Sequence, residues 1–265
     1  MDRPPLTDRA ALARNRARAR EDALFLHREA RADVEDRIAM VNRTFTAPAV
    51  VTGFPHEWDM PGAKIVPDED ALDLAPQSHD LVVHAMALHW ADDPLGQIIQ
   101  CRRALRPDGL FLAVFLGGET LHELRAALAA AETRLTGGLS PRVAPMAEIR
   151  DMGALLQRAG LALPVADVDR RTVTYADARA LMRDLKAMGE GNALAARHRR
   201  IPPRALFAEA GSLLPHEDGR IAATFEMIHL SGFAPSEDQP KPLRPGSATH
   251  RLADALGTAD AKLSD

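Results

Sequence analysis

The chain has 265 residues, a formal net charge of −4 and a pI near 6.2, so it can bury a sizeable core and carries no overall basic field to recruit nucleic acid. Its single cysteine, Cys101, excludes an intrachain disulfide and fits a reducing compartment. The strongest apolar run, Leu110 to Leu116, is far too short to cross a bilayer, and no positive-then-apolar leader opens the chain; a cytoplasmic protein without a transmembrane segment is expected.

Residues 1–7 contain Pro4 and Pro5 and carry no element. From Asp8 to about Val41 the Ala-rich pattern predicts a helix, so residues 1–45 form an N-terminal helical extension. Within it Arg14, Arg16, Arg18 and Arg20 precede Glu21 and Asp22; the run reads as a solvated helix face, with docking on an acidic partner as the alternative. Residues 46–67 hold only two short strand candidates, Ala49–Thr52 and Lys64–Val66. A complete strand–helix–strand unit takes about 30 residues or more, so the opening unit of the sheet is truncated. No G-x-G-x-x-G occurs; the one G-x-G, Gly189-Glu190-Gly191, lies far downstream.

An acidic cluster, Asp68-Glu69-Asp70, leads to Asp80 and the strand Leu81–Val83. His84 to Trp90 should be a loop, and Asp92, Asp93 and Pro94 supply a helix start with Pro near helical φ and acids at the positive end of the dipole. Arg106-Pro107-Asp108-Gly109 is read as a turn before the strand Leu110–Leu116. A strand–helix–strand crossover of this kind is right-handed. After Gly117-Gly118 come an Ala-rich helix to Thr133, a helix from Met146 to Ala159 and a strand from Val165 to Tyr175. Helices over 176–188 and 203–214 form an insertion (176–215) before a last strand, Ile221–Phe233. The main domain thus covers 46–233, and 234–265 is a Pro-rich, polar, flexible tail.

Asp80-Leu81-Val82 followed by Leu105-Arg106-Pro107-Asp108-Gly109 resembles strands four and five of class I S-adenosylmethionine-dependent methyltransferases. Leu88-His89-Trp90, residues 115–125 (FLGGETLHELR), residues 137–141 (GGLSP) and residues 187–192 (AMGEGN) narrow the match. They resemble the methyltransferase-like assembly-factor-5 group of respiratory complex I, relatives of the biotin-pathway malonyl-carrier-protein O-methyltransferases. The resemblance spans residues 8–45 and 68–250; the family's first-strand glycine motif and ribose-binding acid have no counterpart. It implies a Rossmann-like, mostly parallel α/β sheet lacking its first unit, with a protein or complex I subunit as partner. It also implies S-adenosylmethionine as cofactor, bound weakly or not at all because the glycine loop is missing. Cofactor contacts would be Asp68, Glu69, His84, Ala85, Met86 and Trp90, with an acid on the adenine. Gly117, Gly118, Glu119 and Thr120 would receive the substrate.

Histidine titrates near neutrality, which makes His89 the best-placed base if a proton must move. His84 and His89 lack the H-E-x-x-H context of a zinc site, and no metal is expected. Cys101 reads as a structural thiol and Tyr175 as packing. No G-x-S-x-G elbow is present, which disfavours a hydrolase. Two functions therefore compete: an assembly factor for complex I with a degenerate cofactor site, and an active methyltransferase or protein-arginine-modifying enzyme acting on a protein or acyl-carrier substrate.

Overall fold

The computed structural model describes residues 4–239. Its sheet contains β1 (Pro48–Thr52), β2 (Lys64–Val66), β3 (His79–Ala85), β4 (Leu105–Leu116), β5 (Ala162–Tyr175), β6 (His216–Glu217) and β7 (Arg220–Phe233). The strand order is β2-β1-β3-β4-β7-β5, with β6 paired to β7 off this path. The first four strands are parallel; β7 runs antiparallel to both β4 and β5. Among the described residues seven α-helices flank the sheet: α1 (Arg9–Arg16), α2 (Phe25–Met40), α3 (Pro94–Ala104), α4 (His122–Thr136), α5 (Ile149–Arg158), α6 (Ala178–Ala187) and α7 (Arg204–Leu213).

Strand alternation sorts the core into two layers. Val50, Leu81, Val83, Leu112 and Phe225 face α2, α4, α6 and α7, whereas Val51, Val82, Phe111, Phe115 and Ile228 face α3 and α5. Cover on both faces is why β3 and β4 read as unbroken apolar runs rather than alternating ones. Asp93 caps α3 by accepting from the Gly96 amide at 2.9 Å, with Pro94 in the first turn. Gly160 stops α5 in the left-handed region, φ +77°.

The truncated opening is borne out in its substance. β1 reaches its parallel neighbour β2 through residues 53–63, and β2 reaches β3 through 67–78, with no helix in either connection. The seventh strand is the two-residue hairpin arm β6, so six strands lie on the sheet path. Residues 53–63 are nonetheless packed: Trp58 is fully buried and its Nε1–H donates to His27 Nδ1 at 3.0 Å.

Three local expectations are corrected. The single helix over 8–41 is two helices, because the linking segment is tied elsewhere: the Arg20 amide donates to the Ala187 carbonyl at 2.8 Å, and Ala23 and Leu24 enter the core. β3 runs through His84 and Ala85, and Leu88–Trp90 is a 3₁₀ turn rather than an open loop. Residues 106–109 are not a free turn but an irregularity inside β4, where the register jumps from His79↔Leu105 to Leu81↔Leu110 and Asp108 takes φ +61°. The expected tail from 234 lies almost wholly outside the described residues. No helix among the described residues is long and apolar enough to cross a membrane.

Candidate functional site

Ligands of open α/β sheets sit beyond the carboxyl ends of the strands. Two concavities lie there. The first, about 1430 Å³, opens past β1 and β2 and is lined by Arg9, Arg16, Phe54, Asp68 and Glu69 among others. The second, about 320 Å³ and mostly apolar, lies beyond β4 between α4, α6 and α7, with Trp90, Thr120, Leu124, Leu185, Phe225 and Glu190 in its wall.

In the first cleft Asp68 is already partnered. Arg16 donates from Nη1 to Oδ1 at 2.6 Å and from Nη2 to Oδ2 at 3.0 Å, and Arg9 Nη1 adds a third contact at 3.3 Å. This is a bidentate guanidinium–carboxylate fork, the strongest geometry such a pair adopts. The Arg16 guanidinium lies across the carboxyl end of β1, so close to Gly53 that any side chain there would collide with it. Glu69 is exposed, and its carbonyl accepts from Gln97 Nε2 at 3.0 Å.

The other expected contacts separate. His84 points to the opposite layer, where its Nε2–H donates to Gln97 Oε1 at 2.7 Å under α3. Ala85 and Met86 are buried, Met86 in the left-handed region at φ +48° with its amide donating to the Val114 carbonyl at 2.8 Å. Gly117 and Gly118 do not form an open entry. Their amides donate to Glu226 and Ala147 carbonyls at 2.9 Å, and the Glu226 carboxylate covers Gly118. Thr120 is buried in the chamber wall, exchanging hydrogen bonds with the Glu226 backbone at 3.1 and 3.0 Å, while Glu119 faces out.

His89 and Trp90 converge on a residue that sequence reasoning passed over. Glu190 Oε2 accepts from Trp90 Nε1 at 2.9 Å and lies 3.4 Å from His89 Nε2. Gly189-Glu190-Gly191 follows α6, and the signal in the sequence that points to Glu190 is its place within residues 187–192, one of the resembling segments. Burial alone would push its carboxyl up, but His89, Arg16 and His27 around it hold it below the usual range. The second chamber is thus a mostly apolar hole whose wall holds one carboxylate, Glu190, beside the cationic side chains of Arg142, Lys186 and Arg197. Arg142 and Arg197 are themselves paired with Glu132 and Asp8. Among the described residues no group of three or more His, Cys, Asp or Glu is arranged to hold a metal.

Burial pushes both His84 and His27 down to about 4. Both are neutral in the fold, and protonation favours the unfolded chain, whose histidines titrate near 6.5. Their stabilisation is therefore complete above about pH 6.5 and is lost as pH falls towards 4. Melting temperatures measured across that window should fall, and the fall should be shallower in His84→Gln. Equal slopes in the two proteins would refute this assignment.

A methyltransferase-domain family model matches residues 57–113. The zebrafish (Danio rerio) protein "Arginine-hydroxylase NDUFAF5, mitochondrial" is 35% identical over 199 residues, 74% of this chain and 62% of that protein. A malonyl-[acyl-carrier protein] O-methyltransferase of Laribacter hongkongensis is 38% identical over 176 residues, 66% of this chain and 57% of that enzyme. The chain thus spans about three fifths of these relatives' length. The crystal structure of a Bacillus halodurans protein assigned as a methyltransferase superposes with a TM-score of 0.50 at 14% identity, covering 76% of this chain and 97% of that one, which shows the fold. The expectation of a cytoplasmic protein is corrected by this comparison: the zebrafish relative and its mouse and human counterparts are mitochondrial by name. Together with the sheet order, these matches show a chain similar in sequence to proteins named NDUFAF5 arginine hydroxylases and malonyl-[acyl-carrier protein] O-methyltransferases, on a class I methyltransferase-like fold.

Proposed function

We propose that this protein serves the assembly of respiratory complex I by acting on a protein client, with a degenerate S-adenosylmethionine site. The observation that carries the reading is the Arg16–Asp68 fork. The acid that would contact adenine is spent on a guanidinium from α1, beside a β1–β2 connection that has neither glycine loop nor helix. The cleft keeps its volume, but its buried acid is engaged by the chain's own arginines, as suits a factor whose task is its client. The domain plan supports the same reading, with 1–45 as the helical extension that supplies the plug, 46–233 as the sheet domain and 176–215 as the insertion facing the client.

A second reading, modification of a protein arginine, is favoured by Glu190. Its carboxylate, in a wall that includes Leu124 and Phe225, offers a counter-charge to an incoming guanidinium whose alkyl stem would pack on those side chains. His89 stands next to that carboxylate as the candidate base.

Deleting the gene should lower assembled complex I and NADH:quinone activity while leaving biotin synthesis intact. Complementation with the wild-type gene should restore activity. Complementation with Glu190→Gln should fail if arginine modification is the task and succeed if the protein only escorts its client. Unchanged NADH:quinone activity in the deletion strain would remove the assembly assignment.

A further inference from the structure

We propose that the groove between residues 18–23 and α6 docks an acidic segment of a protein client, next to the apolar chamber; the inference rests on the reading that the client is a protein. The groove, about 580 Å³, is walled by Arg18, Arg20, Arg183 and Lys186 over a floor that includes Ala23 and Tyr175. Its own anions are engaged: Asp22 pairs with Arg20 at 2.5 Å, and Asp184 accepts from the Tyr175 hydroxyl at 2.8 Å. Arg18, Arg183 and Lys186 are exposed and make no ion pair among the described residues. Three unneutralised cations therefore face one groove on a chain whose net charge is −4.

The arrangement is built, not scattered. Arg179, Arg183 and Lys186 follow one another down a single exposed face of α6 at helical spacing. The opposite wall is held to that helix by the hydrogen bond from the Arg20 amide to the Ala187 carbonyl. Lys186 also lines the apolar chamber, so groove and chamber share a wall. An acidic segment seated in the groove would place a neighbouring side chain at the chamber that holds Glu190. Clustered cations raise the local concentration of an anionic partner and its rate of encounter. A nucleic-acid strand would want stacking platforms as well. The one aromatic ring here, Tyr175, is buried and its hydroxyl is taken.

The test is fluorescence anisotropy of the whole protein with fluorescein-labelled decaglutamate at low salt. Decalysine, oligothymidylate and phosphatidylglycerol vesicles serve as comparison probes. The wild type should bind decaglutamate with an affinity that falls as salt is added, because exposed charges are screened. The triple variant Arg18→Glu, Arg183→Glu, Lys186→Glu should bind roughly tenfold more weakly or worse. A control triple on α3 and α5, Arg103→Glu, Arg150→Glu, Arg158→Glu, reverses three exposed arginines elsewhere that make no ion pair among the described residues, and should bind as the wild type does. Circular dichroism checks that both variants are folded. Equal losses in the two triples, or tighter binding of oligothymidylate or vesicles than of decaglutamate, would overturn the proposal. Failure here leaves the deletion phenotype untouched, and an unaffected deletion strain would leave peptide binding untouched, so the two readings fail separately.

Discussion

S-adenosylmethionine at millimolar concentration should leave the melting temperature of this protein unchanged, whereas Asp68→Asn should lower it by roughly 6 to 20 °C. Both expectations come from the same three hydrogen bonds. A ligand present at 100 times its Kd stabilises a fold by about 2.7 kcal/mol, which in a domain of this size raises Tm by roughly 5 to 10 °C. To gain that, the cofactor would have to displace the Arg16 guanidinium from across the end of β1 and compete for a carboxylate whose side chain is only 7% exposed. No glycine-loop amides stand ready to repay the loss. Conversely, taking the charge from Asp68 strands Arg16, itself 12% exposed, in a cleft where no other carboxylate among the described residues is bonded to it. Stranding one partner of a largely buried pair costs about 3 to 5 kcal/mol. A cofactor-induced rise of 5 °C or more in the wild type would mean that the site is functional and that the fork opens.

Trp58→Ala should be the most damaging single change in the shortened opening unit, lowering Tm by more than roughly 10 °C. The indole is fully buried in the core cluster that includes Leu26 and Phe54. Deleting a buried Trp side chain costs about 3 to 5 kcal/mol, and leaving His27 Nδ1 without its donor adds about 1 to 3 kcal/mol. Trp58→Phe should keep most of the packing and lose mainly the second of these. Denaturant melts of the two variants separate the contributions. A Trp58→Ala protein within about 1 kcal/mol of the wild type would show that residues 53–63 are a dispensable remnant rather than a packed substitute for the missing helix.

The arginines at 14, 16, 18 and 20 show how function parts from pattern. The first two close α1, where a spacing of two throws side chains to different sides of the helix, and the last two lie in the segment that links α1 to α2. The structure splits the run accordingly: Arg16 turns inward to Asp68, Arg20 folds onto Asp22, and Arg14 and Arg18 remain outside without an ion pair among the described residues. A solvated face and a docking patch were both legible as alternatives. An internal plug was not, because its partner lies 52 positions away. The hairpin arm β6 was missed for a different reason. Asp218-Gly219, with φ of +51° and +74°, is a strong hairpin signal that was overlooked beside the longer strand it introduces.

By itself the sequence determined most of the element list and the lineage. Apolar runs, the Asp93-Pro94 start and the Gly160 stop act over a few residues, and their physics is local. It also determined that the first unit is short, since a chain can only span the distance its residue count permits. What only the tertiary structure decided is which polar groups meet: Asp68 with Arg16, Glu190 with His89 and Trp90, Lys186 with both the groove and the chamber. Those pairings join segments 52 and 100 or more positions apart. A buried charge accepts whichever distant partner the packed sheet brings within about 3 Å of it, and no local pattern records that choice.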